Sequence, residues 1–220
     1  MWSEREKHPR AFPGAGAVSE YIKFSCEPLA HEIASFSELA KLNAYRRKLL
    51  DLRLIGVDPN GIGFGNLSVR DGATKKFFIT GSATGGIHKL ILANCAKVVA
   101  YDFERNLVRY EGSAVPSSES LTHAAIYESD ATAGAVVHCH NSKLWAALLN
   151  EAPTTSKAAE YGTPEMAYEI MQLFRRTDAQ SRKIVVMAGH EGGILTFGRD
   201  LEEAFAVLMR ERKKFTPESQ

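Results

Sequence analysis

His138 and His140 stand two residues apart in the run Gly134-Ala135-Val136-Val137-His138-Cys139-His140-Asn141, where small and β-branched residues lead into the histidines. Side chains on a strand alternate between faces, so both imidazoles project to one side and Cys139 to the other. Two imidazoles at a strand end can share a metal ion. They can also just hydrogen-bond to polar neighbours, and two ligands do not complete a site. A third imidazole, His190, sits where another apolar run gives way to Gly189 and Gly192-Gly193. Glu119 follows Pro116-Ser117-Ser118 at a helix start, where the helix dipole favours an acidic group. The same carboxylate could act as a base beside a metal. Ser117 and Ser118 suit an N-cap, or, with the free amides of the first turn, an anion site. Two glycine-rich loops, around Gly65-Asn66 and Thr84-Gly85, offer further amides that can approach an anion closely. His123, one turn after Glu119, either braces it or belongs to the core, and the core is the favoured reading.

These residues need strands and helices to hold them. Residues 1–28 contain Pro9, Pro13, Gly14, Gly16 and Pro28 without periodicity and read as an irregular arm. Apolar residues recur at helical spacing over 31–55, with capping-box spacing in Ser35-Phe36-Ser37-Glu38 and Gly56 as the stop. Residues 66–70 and 76–80 read as paired strands across Asp71-Gly72. Residues 97–102 and 106–110 read as a hairpin. A helix follows Glu119, the histidine strand follows that helix, and short helices are expected over 143–149 and from Pro164 to about Arg175. Residues 183–188 and 193–197 read as strands, and a last helix is capped by Asp200. Strands come in pairs as well as between helices, so the sheet should be mixed and mainly antiparallel, with helices on both faces. Gly61-Ile62-Gly63-Phe64-Gly65 is not a dinucleotide-binding fingerprint. Its third glycine would fall at Asn66, and the run enters a strand rather than a helix.

With 220 residues, 45% of them apolar, the chain can bury a full core. A formal net charge of +1 with 24% charged residues argues against a nucleic-acid surface or a polybasic membrane patch. No apolar run approaches a membrane span. The charged start Met1-Trp2-Ser3-Glu4-Arg5-Glu6-Lys7 is not a secretory signal. Three widely spaced cysteines, Cys26, Cys95 and Cys139, form neither a CxxC metal pair nor a disulfide framework. A cytoplasmic setting is expected.

Taken in order, Gly65-Asn66-Leu67-Ser68-Val69-Arg70, Ile79-Thr80-Gly81, Pro116-Ser117-Ser118-Glu119 with His123, His138-Cys139-His140, Tyr161-Gly162-Thr163, Gly189-His190-Glu191-Gly192 and Gly198-Arg199-Asp200-Leu201-Glu202-Glu203-Ala204 resemble the class II aldolase/adducin family. The resemblance covers about Ala34 to Arg212. It implies a three-layer α/β/α sandwich with a mainly antiparallel central sheet, and a homo-oligomer, commonly a tetramer. It implies zinc, or another divalent metal, on His138, His140 and His190, with Glu119 as the acid/base group. It also implies that Asn66, Thr84, Gly85, Ser117 and Ser118 cradle a substrate phosphate. The chain departs from the family at Gly189 and Glu191, which flank the third histidine, and in a longer loop at 81–86.

The sequence therefore reads as an irregular arm over 1–30 and a single domain over 31–220. The expected activity is a zinc-dependent retro-aldol cleavage of a small hydroxylated carbonyl compound, a sugar phosphate, through a metal-stabilised enediolate. The alternatives are an epimerase, dehydratase or decarboxylase on the same platform, or a non-catalytic adducin-like interaction domain.

Overall fold

The fold, seen in a computed structural model, is described for residues 23–215. Its strands are β1 (Ser25–Ala30), β2 (Gly56–Val57), β3 (Gly63–Phe64), β4 (Asn66–Arg70), β5 (Phe77–Thr80), β6 (Cys95–Asp102), β7 (Leu107–Glu111), β8 (Ala135–His140), β9 (Ile184–Val186) and β10 (Gly193–Gly198). Eight of them form one central sheet in the order β1-β7-β6-β5-β4-β8-β10-β9. Within it only β1 and β7 run parallel; every other neighbouring pair is antiparallel. A separate two-stranded ribbon joins β2 to β3.

Helices cover both faces. On one side, α2 (Ser120–Ser129) and α4 (Pro164–Arg176) bury Leu121, Ala125, Met166 and Ile170 against Ile79, Val136, Leu195 and Phe197. On the other, α1 (Leu39–Asp51), α3 (Ser142–Leu148) and α6 (Leu201–Phe215) bury Leu42, Leu49, Leu144 and Leu208 against Leu67, Val137, Cys139 and Ile194. Strand alternation sorts these sets. On β8, Ala135, Val137 and Cys139 enter the second core, while Val136 enters the first and His138 shares its face. The short helix α5 (Ala179–Arg182) leads into β9. The expected three-layer mixed sandwich is the architecture found. Among the described residues no helix is long and apolar enough to cross a membrane.

Several local expectations needed correction. Residues 1–22 of the expected arm lie outside the described residues, but Ser25–Ala30 is an edge strand. Pro28 obscured it in the sequence, yet an edge tolerates a residue without an amide proton. The first helix begins at Leu39, not near Ser35, and its N-cap residue Glu38 makes no side-chain cap. Ile33 and Phe36 supplied part of the helical periodicity from ahead of the helix. Phe36 is held there by stacking on Phe78, ring centroids 4.2 Å apart. The helix also stops at Asp51, before Gly56. The ribbon β2–β3 was not anticipated. Asp58 closes its turn, with Oδ1 accepting from the amides of Asn60 and Ile62. The start of α4 at Pro164, capped by Thr163, and the bond from the Glu203 amide to the expected cap Asp200 Oδ1 agree with the expected helix starts.

Candidate active site

β8 lies inside the sheet, between β4 and β10, with Asn66 and Leu195 opposite His138 and Gly193 opposite His140. The turn from β9 to β10 returns His190 to the same end of the sheet, held by the bond from the His190 amide to the Met187 carbonyl. The Nε2 atoms of His138 and His140 are 3.1 Å apart. Ring centroids of His190 lie 5.3 Å from His138 and 4.5 Å from His140. One nitrogen from each of the three histidines falls within 4.8 Å of the others. Gly193 permits this approach. A Cβ there would stand 2.7 Å from Cδ2 of His190 and 3.3 Å from Cε1 of His138.

The donor set fits a divalent cation. Two imidazole nitrogens on tetrahedral zinc, each 2.0–2.1 Å from the ion, are about 3.3 Å apart, close to the His138–His140 spacing. His138 Nδ1 lies 3.3 Å from the Ile194 carbonyl oxygen. A carbonyl only accepts, so Nδ1 carries the proton and Nε2 presents its lone pair. Burial holds all three rings neutral: His138 well below the usual range, His140 at about 4 and His190 at about 3. Neutral rings are the form that binds metal.

Glu119 ends the segment that delivers α2, and Gly81 pairs with Pro116 to fix that segment beside β5. Its carboxylate is 2% exposed. Oε2 accepts from Thr122 Oγ1 at 2.6 Å, while the buried Oε1 has no partner. Oε1 stands 3.9 Å from Nε2 of His190, too long for a hydrogen bond. Burial raises this carboxyl from 4.5 to about 7, against the opposing pull of the Thr122 hydroxyl and the Lys23 charge. A half-protonated Glu119 beside a neutral His190 is not an ion pair. It is a carboxyl able to take or give a proton near neutrality.

These groups line a cavity of about 620 Å³. Asn66, Thr84, Gly85, Ser117, Ser118, Glu119, His138, His140 and His190, all nine residues singled out in the sequence, face it. Ser117 is not the helix cap; the N-cap position falls on Glu119, whose amide lies 3.4 Å from Ser117 Oγ. Ser118 remains on the wall. His123 does not brace Glu119. It is wholly buried, with Nδ1 2.7 Å from Ser68 Oγ, which also contacts the Tyr127 hydroxyl.

The sequence reading missed Phe64, whose ring centroid is 5.6 Å from that of His140, and Tyr161, 4.4 Å from that of His190. Tyr161 stood in a quoted motif, but aromatic type alone assigns no position. Lys23 Nζ sits 4.0 Å over the Tyr161 ring. Arg46 was also missed, because it sits on a helix far from any motif.

Residues 60–210 match the family described as class II aldolase and adducin N-terminal domain, and the chain belongs to that family. Among solved structures it is similar to an L-fuculose 1-phosphate aldolase, at 23% identity over 83% of this chain and 84% of that one, with a TM-score of 0.63. It is also similar to the L-fuculose-1-phosphate aldolase of Thermus thermophilus, at 20% identity over 81% and 91%, TM-score 0.58. YgbL from Escherichia coli, a candidate aldolase/epimerase/decarboxylase, aligns at 17% identity over 81% and 86%, TM-score 0.60. At these identities the likeness is one of fold. No curated protein sequence matches the chain.

Proposed function

We propose that the protein is a zinc-dependent carbon–carbon lyase acting on a small phosphorylated hydroxycarbonyl compound. The observation that carries this reading is the convergence of three neutral imidazoles and one carboxyl of raised pKa in a single cavity walled by serines and glycines. His138, His140 and His190 would hold the ion, leaving a position open to substrate oxygens. The bound metal would polarise the carbonyl and stabilise the negative charge that develops beside it. Glu119 would move the proton, taking it from the substrate hydroxyl during cleavage and returning it to the new carbon acid. Asn66, Thr84, Gly85, Ser117 and Ser118 would anchor the phosphate. Phe64 and Tyr161 would wall the reacting end. A homotetramer is proposed from the family resemblance.

Glu119 also supports a second reading. A base of pKa near neutrality beside a metal can instead remove an α-proton, as an epimerase or dehydratase would require, or protonate the enediolate left when carbon dioxide departs, as a decarboxylase would. The test is metal-free protein reconstituted with zinc and assayed against phosphorylated ketoses and sugar acids for aldehyde release, isomer formation or loss of water or carbon dioxide. Aldehyde release supports the lyase; isomer formation alone replaces it with the second reading. His190→Ala should abolish both stoichiometric zinc and turnover, and a variant with full zinc and full activity would remove His190 from the site.

A further inference from the structure

Behind the glycine loop at 81–86 lies a charge that the metal site does not use. Arg46, on α1, is 1% exposed. Its guanidinium donates to the carbonyls of Ile87 and Thr84, and to that of Gly85 at 2.8 Å. Its partners among the described residues are neutral carbonyl oxygens. The ionisable group coupled to it, the Cys95 thiol, is itself kept neutral, raised by burial to about 11. A buried cation without a counter-charge is costly, and three carbonyl dipoles offset only part of that cost.

The same bonds set the direction of the loop. There are no cis peptide bonds among the described residues. In a trans peptide the C=O and N–H point opposite ways. With the carbonyls of Thr84 and Gly85 turned to Arg46, the amides of Gly85 and Gly86 point away from it, and Thr84 and Gly85 face the cavity. The loop is pinned from its other side too: a Cβ on Gly85 would stand 2.1 Å from the Gly56 carbonyl oxygen.

We propose that Arg46 is the positioning residue for the anionic end of the substrate, holding the Thr84–Gly85 peptides open toward the cavity and supplying the buried positive charge that a phosphate group completes. The proposal rests on the reading above that this wall receives a phosphate. It adds a residue that does not touch the ligand and acts through one layer of backbone. Lysine cannot replace it fully, because an ammonium lacks the planar fork that spans several acceptors.

The test titrates inorganic phosphate into zinc-loaded wild type, Arg46→Met and Arg46→Lys by calorimetry. The visible spectrum of the cobalt-substituted proteins serves as a second readout, because phosphate binding on the metal would change it and binding at the loop would not. The expected result is phosphate binding by wild type with an unchanged cobalt spectrum, a tenfold or greater loss in Arg46→Met with the metal site intact, and recovery of most of that loss in Arg46→Lys. Phosphate affinity in Arg46→Met within twofold of wild type overturns the proposal. So does a lysine variant no better than methionine, since the charge would then contribute nothing. If Arg46→Met does not fold, Arg46→Gln is judged by the same thresholds. Wild type that binds no phosphate, or binds it only on the metal, refutes the anion wall itself and with it the role of Arg46.

Discussion

Replacing Glu119 with glutamine should make the metal-free protein more stable at alkaline pH, by an amount that grows with pH. The carboxyl titrates at about 7 in the fold, against 4.5 for an exposed one, chiefly because it is buried. Between those values the folded state binds more protons than the unfolded state. The group's stabilising contribution is therefore complete below pH 4.5 and is lost as pH rises through 7. At ~1.36 kcal/mol per pH unit the whole loss comes to about 3 kcal/mol, of which about 2 kcal/mol falls between pH 5.5 and 9.

Glutamine cannot ionise, so the stability difference between variant and wild type should widen by that amount across the window. Glutamine can still accept from Thr122 Oγ1, and any mismatch at the partnerless Oε1 position is a constant that does not follow pH. All other titrating groups are common to both proteins. The assay is urea unfolding in the presence of chelator at pH 5.5, 7 and 9. A difference that stays flat within about 0.5 kcal/mol, well short of the linkage value, refutes the claim that burial raises Glu119. Zinc should remove the slope, because the ion favours the ionised carboxylate. The zinc-loaded variant should then lose about 10²–10⁴-fold in turnover, the usual worth of one acid/base group.

Other perturbations probe the imidazoles. Gly193→Ala should displace His190 by steric contact at Cδ2 and at its carbonyl oxygen, the latter 2.9 Å from the new Cβ. Zinc affinity, read by chelator competition, should fall about 10–100-fold, as for loss of a ligand's support; wild-type affinity would show that the ring has room to spare. Metal-free protein should lose stability on acidification, because His123 and His190 at about 3 and His140 at about 4 bind fewer protons folded than unfolded. The sign is opposite to that of Glu119: their contribution is complete above pH 6.5 and is lost as pH falls. Three such rings cost about 6 kcal/mol between pH 7 and 5, the buried His138 adds to the loss in the same direction, and Glu119 returns about 2, leaving a net loss of about 4 kcal/mol or more. A stability maximum at pH 5 would contradict neutral burial of these histidines.

The histidine cluster was legible because strand geometry does most of the positioning. An i, i+2 pair on one strand needs no long-range information to share a face. His190 required one more step, the return of a strand ending in glycines to the same end of the sheet, and the pairing of β10 with β8 provides it. The serine–glutamate start of α2 and the two glycine loops also carried local signals, since helix termini and small-residue turns expose backbone amides wherever they occur. Local patterns were weaker at boundaries. Phe36 fits a helical stripe in sequence, yet stacks on Phe78 ahead of the helix.

Arg46 shows where such reading ends. In sequence it is one of two adjacent arginines on an amphipathic helix, and Arg47 behaves as that context predicts, in an exposed i, i+4 contact with Asp51 at 3.4 Å. Such a contact contributes a few tenths of a kcal/mol. Its neighbour is rotated about 100° around the helix, which turns the same chemical group into a fully buried cation behind a cavity wall. Nothing local distinguishes the two residues. The difference comes from the loop that crosses α1 about forty residues later in the chain, bringing carbonyls that only the folded state assembles. A ligand-contacting residue can announce itself by type and spacing. One that acts through a peptide from behind appears only when its burial and its missing counter-charge can be seen together.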